Sequence, residues 1–439
     1  MNRKTKDIIR KVDKEDGNRL IIVWGMKCVG KTYAVLDYVK SEYEEYLYID
    51  AAHDHSFIEY AKTNAGCGIN ELLSGFFKIE EEYLVNIPII LDELSMEMIE
   101  NISFGGYNGS FKLFVIFSDK NREDRLYSKI TANETSKTDE QENIIHITPM
   151  NFGDFLVALG KEWYDEVITG HLMSRRKLPE MIHEELLDLY DLYLQIGGMP
   201  EIVEEYLKTG SLENIRERQQ LLKAALWSTF SRKNIDPQVS DVTETKILGV
   251  LDAVEKILEK DNHKFMYSAI RDGVTKKQYA GTVEHLLKCD TLFGLSKLTP
   301  KTTQAKSSKQ TVDKETGGID IQENNEFRLY NSDFSMYDRP YGLKLAESSV
   351  LQGIKSSGVN TLYWESGTGA GLACVLENNG KYTPVDIHIN GKGRGRSVSA
   401  FQKEFDCRQT IRLTEENCRF EEDFVTLPIY VAYSLKHLL

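Results

Sequence analysis

Two stretches of this chain carry the residue types that handle phosphate and metal chemistry. The first runs Gly25-Met26-Lys27-Cys28-Val29-Gly30-Lys31-Thr32, and Tyr33 follows it. Glycines at this spacing let the backbone curl until successive N–H groups point into one anion-sized concavity. A helix starting there adds the positive end of its dipole. In such a loop the Lys31 ammonium reaches the β- and γ-phosphates, and the Thr32 hydroxyl joins a Mg²⁺ shell. The residues from Gly25 to Tyr33 are the candidate nucleotide-binding set.

The second stretch, Ile87-Pro88-Ile89-Ile90-Leu91-Asp92-Glu93, ends in two adjacent carboxylates. Asp92 would hold Mg²⁺ through its waters, and Glu93 could orient and deprotonate an attacking water. Most Asp-Glu pairs are solvated turns. About 60 residues after a phosphate-binding loop, the pair becomes half of a nucleotide hydrolase. Ser118, after the apolar run Leu113–Phe117, is a candidate for sensing the γ-phosphate, with a plain strand-end cap as the alternative. Lys31, Glu93 and Ser118 are thus the catalytic candidates, and Thr32 and Asp92 the metal candidates. An arginine that neutralises a transferring phosphoryl group could come from Arg122 or Arg125. Both read instead as residues of a surface helix and are left outside the site.

These groups need rigid elements behind them. Leu20–Trp24 is a continuous apolar run and reads as a buried strand leading into the loop, with helix from Tyr33 to Tyr43. Further strands are expected at Tyr46–Asp50, Ile87–Leu91, Leu113–Phe117 and Ile144–Ile147. Strands alternating with helices, with ligands at strand ends, describe an α/β doubly wound parallel sheet of the P-loop NTPase kind over residues 1–150.

Beyond it, 151–236 is helical by period and reads as a helical lid, with a stop and restart at Gly197-Gly198-Met199-Pro200-Glu201. Residues 237–300 place a helix, a short second helix near Tyr267–Ile270, a turn, a third helix and the strand Leu292–Leu298 in the order of a winged helix, with a packing connector as the alternative. Lys276, Lys277 and Gln278 would open its recognition helix and contact DNA. Residues 301–325, with Lys301, Lys306 and Lys309, read as a linker, and order resumes over 326–439.

Composition sets outer limits. The chain has 439 residues, 41% hydrophobic and 28% charged, which suits several globular domains and argues against disorder. A net charge of −14 counts against wholesale coating of nucleic acid but leaves a local basic patch open. No apolar stretch is long enough to span a bilayer, and the N-terminus lacks a secretory pattern. Six cysteines without a Cys-x-x-Cys pair suit a reducing, cytoplasmic setting.

Several motifs recur in an order that resembles the bacterial and archaeal AAA-like P-loop ATPases that end in a domain of unknown function with a restriction-endonuclease-like fold. They are the loop at 25–32, Leu91-Asp92-Glu93, and the stretch from Thr148 to Phe155. Gly197-Gly198-Met199-Pro200-Glu201 follows, then the stretch from Leu329 to Phe334, Ala346-Glu347-Ser348-Ser349-Val350 and Tyr363-Trp364-Glu365-Ser366. The resemblance implies an additional-strand ATPase sheet, a winged-helix connector and a nuclease-like α/β terminal domain. Nuclease chemistry in such domains uses a helix Glu, a Glu-x-Asp strand and a Glu-x-Lys strand. Here Glu347 keeps the first, Gly371 and Ala373 stand at the second, and Asp386 and His388 at the third.

The expectation is an Mg²⁺-dependent ATPase that binds ATP and drives rearrangement of its C-terminal domains. The competing expectation is a nucleotide-switched DNA- or protein-binding module with little turnover. Nuclease activity is a weaker third. A protein partner and an oligomer are compatible with each.

Overall fold

The computed structural model describes residues 4–14, 19–85, 87–104, 111–131, 143–229, 242–260, 263–299, 326–337, 343–389 and 395–438. The expected linker at 301–325 lies outside them. The chain divides into two compact units, Arg3–Thr148 with Lys288–Asp290, and Pro149–Leu287 with Thr291–Leu439.

The first unit is built on five parallel strands: β1 (Leu20–Trp24), β2 (Leu47–Asp50), β3 (Ile89–Asp92), β4 (Leu113–Phe117) and β5 (Ile144–His146). Their order is β2-β3-β4-β1-β5. Every residue of β3 and β4 is buried, so helices cover both faces and the strands read as unbroken apolar runs. The strand β4 lies between β1 and β3, which is the additional strand implied by the resemblance. Three residues from elsewhere in the chain, Lys288–Asp290, belong to this unit. The Asp290 carboxylate lies 2.8 Å from Nε2 of His146, whose ring stacks on Trp24 at 3.9 Å.

The second unit carries an eight-stranded mixed sheet in the order β12-β13-β11-β10-β9-β8-β6-β7. Its strands are β6 (Leu292–Lys297), β7 (Phe327–Asn331), β8 (Asn360–Glu365), β9 (Gly371–Asn378), β10 (Lys381–Ile387), β11 (Thr410–Thr414), β12 (Arg419–Phe420) and β13 (Phe424–Pro428). The helices Glu244–Leu258 and Lys276–Lys288 stand where the winged-helix reading put them, the first capped by Thr243. The strand after them has a wider role than closing that motif. It runs antiparallel to β7, Leu292 opposite Asn331, and parallel to β8, Ser296 opposite Leu362. Division at residue 300 therefore separates two strands of one hairpin. Local periodicity reports that a segment is a strand and says nothing about its partner, so the intervening residues looked like a domain boundary. Likewise, 151–236 shares a compact unit with the C-terminal half.

Four of the later motifs that carry the resemblance, those around Met150, Gly198, Asp333 and Ser349, meet in this second unit as a packing joint. The Gly198 amide donates to Asp333 Oδ2 at 2.9 Å, and its carbonyl accepts from Met150 at 2.8 Å. The Tyr193 hydroxyl donates to Met150 O at 2.8 Å, Tyr190 meets Ser349 at 2.6 Å, and Asn151 donates to Ser356 at 3.1 Å. The ring of Phe152 sits among Tyr190, Tyr193, Tyr430 and Tyr433. Asp333 is wholly buried, and burial pushes its pKa up even though Ser335 and Gly198 donate to it.

A side chain cannot enter this joint. A Cβ on Gly198 would lie 2.3 Å from Met150 O and 2.7 Å from Asp333 Oδ2. Gly198→Ala is expected to cost about 1–3 kcal/mol through overpacking. Urea denaturation followed by tryptophan fluorescence should show an earlier midpoint, and an unchanged midpoint would mean that the loop yields without strain.

Candidate functional site

The register of the first sheet brings the candidate residues to one edge. Trp24 lies opposite Phe117, and Asp92 opposite Ile116, so β1, β3 and β4 end almost level. The Gly25 amide then donates to Phe117 O at 3.2 Å and the Glu93 amide to Ile116 O at 2.9 Å. Gly25, Glu93 and Ser118 are thereby side by side at the carboxyl end of the sheet.

The loop needs its two glycines for different reasons. Gly25 has φ +149°, and a Cβ there would come 2.0 Å from Ile147 O, so no side chain fits. Gly30 takes φ 86° and hands the chain to the helix Lys31–Glu42, whose N-terminus no side chain caps. Cys28 between them is also left-handed, at φ 65°. Tyr33, on the first turn of that helix, is 56% exposed.

Lys31 is buried, and its ammonium donates to Gly25 O at 3.1 Å, Met26 O at 2.9 Å and Ser118 Oγ at 2.8 Å. Burial lowers its pKa, while Glu93 and Asp92 nearby oppose that shift. Ser118 in turn donates to Glu93 Oε1. A hydrogen-bonded line therefore runs from Lys31 through Ser118 to Glu93.

Glu93 stands in the left-handed region at φ 58°, a conformation that costs a non-glycine residue on the order of 1–3 kcal/mol. Its second oxygen, Oε2, receives Arg122 Nη2 at 2.7 Å. Burial works to raise its pKa. The charges of Arg122 and Lys31 and the Ser118 hydroxyl outweigh burial and hold the carboxyl below the ordinary glutamate value.

Asp92 accepts from Thr32 Oγ1 at 2.6 Å and from the Tyr48 hydroxyl at 3.1 Å, both on Oδ2. Burial raises its pKa, and the neighbouring Glu93 adds to the shift. Thr32 and Asp92 thus present two hard oxygen donors at one point. Mg²⁺ is commonly held by one or two protein oxygens with waters and phosphates completing its octahedron, so this pair fits that ion.

Two of these contacts were not read from the sequence. Arg122, assigned there to a surface helix, lies on the helix Lys120–Thr131 but turns its guanidinium into the site, while Arg125 does pair at the surface with Glu100. The signal available was its position four residues after Ser118, in the first turn of the helix that follows β4. Tyr48 is two residues before the end of β2, and only the β2–β3 register brings it to Asp92.

A parallel sheet in this order, with a glycine loop running from β1 into a helix and acidic residues at the end of β3, is the P-loop NTPase fold. No protein-family model matches the sequence, and no curated protein matches it. Among solved structures, the chain is similar to a Walker-type ATPase of Pyrococcus abyssi, at 14% identity and TM-score 0.40 over 65% of this chain and 89% of that one. It is also similar to Cdc6p from Pyrobaculum aerophilum, at 10% identity and TM-score 0.27 over 65% and 84% of the two chains. A third similar structure is the Aeropyrum pernix Orc1 protein in complex with DNA, at 11% identity and TM-score 0.25 over 80% and 93%.

The raised pKa of Asp92 has a consequence for stability. A carboxyl whose folded pKa exceeds its unfolded value favours the folded state below the unfolded pKa and loses that contribution as pH rises through the folded pKa. At neutral pH the ionised group is therefore a cost to the nucleotide-free protein. Asp92→Asn keeps an oxygen for Thr32 and Tyr48 and removes the charge. Its thermal midpoint without nucleotide is expected to rise by about 2–4 °C at pH 7.5, with the gain shrinking toward the ordinary aspartate range. A lower midpoint at pH 7.5 would contradict this reading.

Proposed function

We propose that this protein is a Mg²⁺-dependent ATPase whose hydrolysis rearranges its C-terminal domains. The observation that carries the proposal is the line Lys31–Ser118–Glu93 at the carboxyl end of the sheet, with Thr32 and Asp92 beside it. Lys31 would exchange the Gly25 and Met26 carbonyls for β- and γ-phosphate oxygens, and the loop amides would cradle the rest. Thr32 and Asp92 would hold Mg²⁺, which when bound neutralises charge on the phosphates. Glu93 would orient a water toward the γ-phosphorus and accept its proton. Ser118, in touch with both Lys31 and Glu93, would register whether the γ-phosphate is there.

Lys31→Ala should weaken ATP binding by at least about ten-fold for each charge-assisted hydrogen bond it removes. Glu93→Gln should bind ATP as the parent does and lose about 10²–10⁴-fold in turnover, because an amide cannot take the proton. Fluorescent-nucleotide binding and phosphate release measure the two. Turnover at the parental rate in Glu93→Gln would remove the role given to Glu93. Tight ATP retention without turnover in the parent would make the protein a nucleotide-switched binding module instead.

The reading extends to DNA through the helix Lys276–Lys288. Lys277 and Gln278 are exposed at its start, and the hairpin of β6 and β7 follows it. Duplex DNA binding at low salt should weaken as salt rises. Replacing Lys276 and Lys277 by alanine should reduce the log–log salt slope by about one for each phosphate no longer neutralised. No binding by the parent, with ATP present, would leave this region a structural connector. A nuclease role is not part of the proposal. Gly371 and Ala373 offer no ligands, Glu347 lies 3.2 Å from His263, and Asp386 accepts from Arg412 at 3.1 Å. An acid already paired with an arginine, and a second position without carboxylates, suit recognition by a retained fold better than metal-dependent cleavage.

A further inference from the structure

The guanidinium of Arg122 joins three points of the first unit. Its Nη2 donates to Glu93 Oε2 at 2.7 Å, its Nη1 to Leu94 O at 3.1 Å, and its Nε lies 3.8 Å from Asp119 Oδ2. It packs over the Phe117 ring at 5.7 Å, and its side chain is 17% exposed. The two donor contacts fall on the Glu93 carboxylate and on the carbonyl of Leu94, the residue that follows the left-handed turn at Glu93. Ser118 takes the other Glu93 oxygen.

A glutamate side chain has three rotatable bonds, and at φ 58° nothing in its own backbone preference keeps it there. Arg122 acts on both freedoms, since one arm of its planar fork binds the carboxylate and the other binds the Leu94 carbonyl. Lysine has a single nitrogen in place of the planar fork and would not reproduce both contacts in this geometry.

We infer that Arg122 is a positioning residue that fixes both the backbone turn and the carboxylate of Glu93 for attack on the nucleotide. This deepens the ATPase reading and rests on it. Arg122 sets the orientation of Glu93, so its loss falls on the chemical step and spares nucleotide binding, which is made by the loop from Gly25 to Thr32.

The test compares full-length parent, Arg122→Gln, Arg122→Lys and Glu93→Gln. Arg122→Gln should lower kcat by about 10- to 100-fold, the scale of a catalytic group misplaced by about an ångström. KM and fluorescent-ATP affinity should stay within about two-fold of the parent. Arg122→Lys should recover part of kcat. A second measurement needs no turnover: hydrogen exchange of the nucleotide-free protein over residues 89–96 should be faster in Arg122→Gln and partly restored in Arg122→Lys. Unchanged or higher kcat in Arg122→Gln, or parallel losses in kcat and ATP affinity, would overturn the inference, as would unchanged exchange over 89–96. Parental turnover in Glu93→Gln would instead sink the role of Glu93, and a parent that binds no ATP would sink the ATPase reading. In both cases the exchange experiment still decides whether Arg122 holds the turn.

Discussion

Two adjacent carboxylates, one buried and one partly so, at one sheet edge are the constraint on which the first unit depends. Asp92 is buried, and Glu93 stands beside it with both oxygens engaged. Like charges so close raise each other's cost of ionisation, and burial adds to it. The surroundings answer with cations and hydroxyls. Lys31 and Arg122 approach Glu93 through different routes, and Thr32 and Tyr48 converge on Asp92. The outcomes differ: Glu93, which gains the arginine, is held below its usual pKa, whereas Asp92 with neutral donors is held above it. One acid is kept charged and the other is left short of charge compensation, of the kind a divalent cation would supply.

The same balance explains why Lys31 is tolerated where it is. A buried ammonium is costly unless its donors are satisfied. Its three donors meet two loop carbonyls and a serine hydroxyl. Those partners are neutral and replaceable, so the lysine can be stable in the folded loop and still gain more from an anion. The close approach of Gly25 to Ile147 O fixes where the loop leaves the strand.

In the second unit a different buried acid plays a purely structural part. Asp333 takes its hydrogen bonds from Gly198 and Ser335, and bulk at Gly198 is excluded by Met150 O. The later motifs of the chain's resemblance, those around Met150, Gly198, Asp333 and Ser349, are therefore packing contacts between distant segments, not reacting groups. A likeness resting on such motifs speaks to architecture, and the chemistry has to be argued from the site. The absence of a carboxylate at Gly371 and Ala373, with Asp386 and Glu347 beside Arg412 and His263, is of that second kind.

The candidate loop, the Asp92–Glu93 pair, Ser118 and all five strands of the first sheet were legible in the amino-acid order. Each depends on local spacing: glycines before a lysine and hydroxyl, or an apolar run ending in acids. The strands β11, β12 and β13 were not read, nor was the partnership of β6 with β7 and β8, because pairing is a property of segments far apart. Arg122 failed for a related reason. On its helix it alternates with charged neighbours and looks like a surface residue, and nothing local says which way a long side chain turns. By itself, the sequence determined which residue types stand at the ends of which strands. The tertiary structure decided which ends are level, and so which donors face which carboxylates, because strand register and side-chain direction follow from packing across the sheet.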